Sequence, residues 1–376
     1  MPCRNDHDEF GTYRKLIEHT FLPMLRGQRL VRGAMAVLWD KNPMEASGYA
    51  ATIAEFLNEP VYYIYFPKEG YEDYLRFDDG VLQLKLESGE WINIRAAFRY
   101  VTQKPWNRIP IQSKTKILNP VLACVSGGRN KMVAAKAYDL FNAELEGSGL
   151  KIQIPETIWD LSKNEVPIWV KKMGGQAVIK VPYSNAGQGV FTIVSETELA
   201  AFMAQDFEYD QFIVQSLIGN YLWSSTSSKG KFFHVGTIPS NKLNTYVSDV
   251  RMMVHATGDG IRPLCVYARR ASDPLLNEIS DSTDSWSMLG TNLSIKQDDG
   301  GWGSDTNRLI LMDRRDFNKL GIGVDDLIEA YIQAVLSMIA IDNMSSTFIN
   351  SKGGFRNKLF KSFNNDESLL NELRIK

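Results

Sequence analysis

The chain has 376 residues and carries 42 basic against 44 acidic side chains, a formal net charge of −2, with 44% hydrophobic and 23% charged residues. That length exceeds a typical domain of ~100–200 residues, so two or three cooperating lobes are expected, and the composition excludes disordered, collagen-like and coiled-coil chains. The balanced charge supplies no global field toward nucleic acid or an anionic membrane.

The segment Met1 to Glu9 is polar, and the first apolar stretch is broken by Glu18, His19 and Arg26, unlike a secretory leader. No apolar run approaches the ~18 residues of a membrane span. Cys3, Cys124 and Cys265 lack C-x-x-C spacing, so neither a disulfide framework nor a zinc knuckle is expected and a reducing cytoplasm fits. His7, His19, His234 and His255 have no metal-ligand spacing.

Residues 34 to 66 read strand, helix, strand: Ala34 to Trp39, then Ala46 to Leu57 with helical periodicity, then Val61 to Phe66. This βαβ opening implies a parallel sheet, Rossmann-like but without G-x-G-x-x-G after its first strand. Short strands follow over 70 to 100, including Val81 to Leu86 and Trp91 to Arg95, and the two prolines of Gln103 to Pro110 impose irregular chain. A lobe boundary is placed near 120. A helix is expected from Lys131 to Glu146, ended by glycines 147 and 149, then a strand Gln176–Val181, a glycine loop, a strand Val190–Ile193, a helix Glu196–Ala204 and a strand Gln211–Leu217. Beyond 220, strands and loops alternate up to a helix from Asp325 to about Ile341, and the tail after Gly354 is polar and charged. The expected organisation is α/β with α+β lobes: 1–120, 121–219 and 220–376.

The chemistry concentrates at Lys180, which closes an apolar strand, and at the loop Ser184-Asn185-Ala186-Gly187-Gln188-Gly189 that follows Pro182. An ammonium at an apolar strand end needs an anionic partner, and backbone N–H groups of a glycine turn can cradle phosphate oxygens. For a glycine pair alone, a plain hairpin turn explains as much. No Lys-Ser or Lys-Thr follows the glycines, so this is not a P-loop.

The strand lysine and glycine hairpin resemble the ATP-grasp superfamily, in which they close over a triphosphate. That resemblance implies an ATP-grasp fold: an N-terminal Rossmann-like lobe, a small central lid lobe and a C-terminal mixed-sheet lobe. It implies a second phosphate-binding lysine, Lys131, on the helix entering the ATP lobe, and an adenine-pairing hinge at Gln215, Ser216, Leu217 and Ile218. Ser248-Asp249-Val250-Arg251, then Ala268-Arg269-Arg270-Ala271, then Asn292-Leu293-Ser294 come in an order similar to the ribosomal-protein glutamate ligases and lysine-biosynthesis ligases. Arg251, Arg270 and Asn292 are then the expected catalytic residues, the arginines neutralising an acyl phosphate or a carboxylate.

For Mg2+ the resemblance implies Asp342 and Asn350, with Phe348 where the family has a glutamate and Asp313 or Asp249 as the replacement carboxylate. The reaction implied is ATP-dependent joining of a carboxylate to an amine through an acyl phosphate, releasing ADP and phosphate. A small-molecule kinase and a nucleotide-binding protein without catalysis are the alternatives. The expected partners are a small-molecule or peptide carboxylate and an amine, such as amino acids, with a homo-oligomer allowed. Arg95, Arg99 and Trp106 are candidates for selecting them.

Overall fold

The structure is a computed structural model, and it describes residues 12–26, 29–40, 43–100, 108–184, 187, 189–218, 225–227, 230–232, 236–276, 280, 284–296, 302–311 and 318–374. Cys3, His7, Trp106, Asn185, Ala186, Gln188, His234 and Asp313, singled out in the sequence, lie outside them.

Strand β1 (Ala34–Trp39) pairs in parallel with β2 (Val61–Tyr65) and with β5 (Trp91–Tyr100). The helix Pro43–Leu57 makes the crossover. Met35 to Leu38 are all fully buried, as a parallel strand covered on both faces requires. The sheet continues antiparallel through β4 (Val81–Lys85) to β3 (Leu75–Asp78), while β6 (Lys116–Leu118) runs parallel to the far half of β5. The result is a mixed six-stranded sheet, ordered β2-β1-β5-β4-β3 with β6 beside β5.

The second sheet has four antiparallel strands in the order β7 (Thr157–Ser162), β10 (Gln211–Ser216), β8 (Ala177–Lys180), β9 (Val190–Ile193). Phe191, Phe202, Phe207 and Phe212 pack mostly edge to face beneath it. A helix over Lys131–Glu144, here the lysine helix, lies between the two sheets in chain order, and its Asn130 N-cap accepts from the Val133 amide at 3.2 Å.

Past two short strands, β11 (Ser225–Ser227) and β12 (Gly230–Phe232), a third sheet joins β13 (Ser248–Thr257), β14 (Gly260–Arg270) and a strand at Leu309–Leu311. The long helix Val324–Thr347 follows and runs about six residues beyond the end expected near Ile341. Its apolar spacing continues through Met344 to Phe348, both buried, which keeps the last turns on the core. The tail is a second departure. It forms two docked helices, Asn357–Phe363 and Glu367–Glu372, with Phe360, Leu369, Leu370 and Leu373 buried.

One continuous buried cluster runs from Ala36 and Leu38 through Val133 and Ile179 to Leu336, Phe348 and Leu373, so the first two sheets, the long helix and the tail share a core. Among the described residues no helix is long and apolar enough to cross a membrane.

Candidate active site

Two lysines from different elements share one pocket, at the base of the glycine loop. Lys180 ends β8, donates to Gln215 Oε1 on the neighbouring strand β10, and Gln215 in turn donates to Thr157 Oγ1 at 2.7 Å. Lys131 opens the lysine helix, and its ammonium donates to the carbonyls of Val181 (3.2 Å), Pro182 (3.4 Å) and Ser184, and to the Ser184 hydroxyl at 3.2 Å. Its backbone amide also donates to Pro182 O at 3.0 Å, which ties the helix start to the base of the loop.

Burial, then repulsion by Lys180 and Arg129, lowers the Lys131 ammonium to about 7. Burial lowers Lys180 as well. Two desolvated cations side by side, bonded mainly to neutral oxygens, form a site that gains from an anion.

Beside them lies a pocket of about 260 Å³. Ala134, Ala135, Tyr138, Ile154 and Ile213 make its apolar wall, and Lys131, Lys180, Gln215 and Thr157 its polar end. Gly127 allows the fit: at φ +142° a Cβ there would lie 2.9 Å from Ile341 Cγ1 of the long helix. Of the expected hinge, Gln215 lines this pocket, Ser216 donates its amide to Glu156 O at 2.8 Å, Leu217 is buried and Ile218 is exposed.

The loop meets the short helix Ser285–Leu289 and the residues just after it. Gly187, at φ +80°, packs on Asn292 and Trp286, and Gly189 donates no space either, since a Cβ there would lie 2.8 Å from Ser184 Oγ. Next to Asn292, Thr291 donates to Asp249 Oδ2 at 3.1 Å. Asp249 is a hub: it accepts from Arg269 Nε (3.1 Å) and Nη2 (2.6 Å) and from Arg251 Nε and Nη2 (both 3.2 Å). Burial pushes its carboxyl up, but Arg269, Arg251 and Thr291 together bring it below the ordinary value.

The structure does not bring Arg251 and Arg270 together. Register pairs Asp249 with Arg269 and Ser248 with Arg270, so side-chain alternation puts Asp249, Arg251 and Arg269 on one face and Arg270 on the other. Arg270 lies over the Tyr246 ring at 4.5 Å. Arg269, not singled out in the sequence, is the arginine that shares a face with Arg251.

Of the expected Mg2+ donors, Asp342, Asn350 and the alternative Asp249 are described, and Asp313 is not. Phe348 is fully buried and packs edge to face on Phe360 and Phe363. Asn350 Oδ1 accepts from the amides of Lys352 (2.9 Å) and Gly354 (2.8 Å), so it closes a turn. Asp342 is exposed within the long helix rather than at its end. No group of three or more His, Cys, Asp or Glu residues able to hold a metal occurs among the described residues.

In the N-terminal sheet, Arg95 is committed to Glu59 and to Gly33 O (3.0 Å). Arg99 is buried and donates to Asn119 O at 2.6 Å and to Cys124 Sγ at 2.9 Å.

No family profile and no curated protein matches the chain. Among solved structures it is similar to the RimK domain ATP-grasp protein of Sphaerobacter thermophilus DSM 20745, at 12% identity over 82% of this chain and 100% of that one, TM-score 0.40. It is similar to D-alanyl-alanine synthetase A of Vibrio cholerae O1 biovar eltor str. N16961 (11% identity, 82% of this chain and 99% of that one, TM-score 0.43). A third likeness is to the macrocyclase MdnC of Microcystis aeruginosa MRC, bound with its precursor peptide MdnA (12% identity, 82% and 99%, TM-score 0.35).

Proposed function

We propose that this chain is an ATP-dependent carboxylate–amine ligase of the ATP-grasp superfamily. The observation that carries the reading is the meeting of Lys131 and Lys180 by the base of the glycine loop, at the polar end of an apolar pocket. An apolar slot with two ammoniums at one end suits a flat base with a polyphosphate tail. Lys131 exchanges its loop carbonyls for phosphate oxygens, and Lys180 turns from Gln215 to the same tail.

The carboxylate oxygen of the acid attacks the γ-phosphorus and the bond to the β–γ bridging oxygen breaks, releasing ADP. The amine nitrogen then attacks the acyl carbon and phosphate leaves, so that an amide or peptide bond remains. Phosphoryl transfer asks the protein chiefly for position and charge neutralisation. The Asp249 hub presents Arg251 on the face that Thr291 and Asn292 connect to the loop tip, where an acyl phosphate needs a guanidinium. In this reading the glycine loop keeps water from that intermediate. Mg2+ would supply charge neutralisation to phosphoryl transfer; among the described residues no group of three or more His, Cys, Asp or Glu that could hold it occurs. Cys124 and Cys265 are in no disulfide, in keeping with a reducing cytoplasm.

Phe348 in the core favours a second reading, nucleotide binding without turnover. ADP release measured with carboxylate and amine mixtures separates the two. The ligase releases ADP only when both acid and amine are present, a kinase needs one acceptor, and a binding protein releases none.

A further inference from the structure

We propose that Asn364, in the tail, is a positioning residue that locks the lysine helix and the base of the glycine loop into one unit. The inference rests on the reading of Lys131 and Lys180 as a phosphate site. Asn364 is fully buried, at the turn between the two tail helices. Its Oδ1 accepts from Asn130 Nδ2 at 2.8 Å, and its Nδ2 donates to the Tyr183 hydroxyl at 2.6 Å and to Gln211 Oε1 at 3.4 Å.

Those partners are the neighbours of the site. Asn130 is the N-cap of the helix on which Lys131 is the first residue. Tyr183 immediately precedes Ser184, whose carbonyl and hydroxyl hold the Lys131 ammonium. Gln211 begins β10, the strand that carries Gln215. A second stitch lies further down the same helix, where Lys136 donates to the Phe363 carbonyl at 2.6 Å.

A lock is needed because the site holds like charges together. Lys131 and Lys180 repel, so without a fixed frame the helix start and the loop base drift apart, and the phosphate site has to be assembled at each binding event. A buried amide with three partners is a stringent joint, since losing it strands a donor or an acceptor in a low-dielectric interior. The tail is anchored to the core through Phe360, Leu369, Leu370 and Leu373, and therefore acts as a fixed wall.

The test is amide hydrogen exchange on the intact chain, read over 130–136 and 177–184, for the parent, Asn364→Ala and Tyr183→Phe, with affinity for a fluorescent ATP analogue measured on the same samples. Asn364→Ala should speed exchange in both segments about tenfold with the rest of the chain unchanged, and weaken analogue binding about tenfold, the scale of one lost buried hydrogen bond. Tyr183→Phe keeps the ring packing on Tyr209 and should loosen 177–184 alone, which preserves a test if the alanine variant does not fold. Unchanged exchange in both segments, or a rise spread evenly over the chain, overturns the proposal. If exchange rises in both segments while the parent binds no analogue, the lock stands and the nucleotide reading falls.

Discussion

Gly187 and Asn292 are packed so closely that a Cβ on the glycine would overlap the Asn292 Nδ2 and lie 2.7 Å from its Cγ. Gly187 thus rests against Asn292, just after the short helix Ser285–Leu289, at a point where only a glycine at φ +80° fits. Gly187→Ala should leave the fold intact and cut turnover by about tenfold or more, because the loop can no longer seat. Because Asn292 is also an expected catalytic residue, adding Asn292→Ala should relieve the clash without restoring turnover, the remaining backbone strain being about 1 kcal/mol. Steady-state ADP release from the single and double variants checks this.

Phe348 sits where the family resemblance places an acid, and its surroundings decide what an acid there would do. Phe348→Glu should destabilise the chain by about 3–5 kcal/mol, combining loss of a buried ring with burial of a carboxyl against Phe360 and Phe363, and it should not strengthen metal dependence. Phe348→Leu should cost only about 1–2 kcal/mol. Denaturant midpoints of the three proteins measure both.

Arg251 and Arg269 meet at one carboxylate, whereas Arg270 lies across the sheet. In double-mutant cycles of stability, Arg251→Ala with Arg269→Ala should couple by about 0.5 kcal/mol or more through Asp249, and Arg251→Ala with Arg270→Ala should add within about 0.5 kcal/mol. Because the arginines hold Asp249 below its ordinary value, their contribution is present above the unfolded carboxyl range and is lost as pH falls through the folded one. The Arg269→Ala chain should accordingly lose less stability on acidification than the parent.

The lysines predict a proton linkage. With Lys131 lowered to about 7 by burial, Lys180 and Arg129, the free site is largely neutral there above that pH, and a bound polyphosphate restores the ammonium. Nucleotide binding should therefore take up a proton, and affinity should be flat below about pH 7 and weaken above it by up to tenfold per pH unit. Calorimetry in buffers of different ionisation enthalpy reads the uptake directly. Lys131→Met should abolish the pH dependence along with most of the affinity.

Local pattern carries far in this chain, and its failures have physical causes. The apolar run of β1, the strand ending at Lys180 and the Asn130 N-cap are each written within a few neighbouring residues, and all are present. Arg269 is hidden because facing across a sheet depends on register between β13 and β14, which neither strand specifies alone. Asn364 is hidden because its three partners lie 234, 181 and 153 residues away, though Asp366 ahead of Leu369 and Leu370 is a helix-start signal that reveals the docked tail. The long helix outruns its expected end because Phe348 serves the core rather than a metal.

The most direct test of the central claim is calorimetric titration of a non-hydrolysable ATP analogue into the parent and into Lys180→Ala. Lys180 shares its pocket with Lys131 and contacts Gln215, so its loss removes a site cation without touching the loop glycines. The predicted result is one site per chain in the parent, weakened at least a hundredfold in the variant. Equal binding by the two proteins would contradict the account.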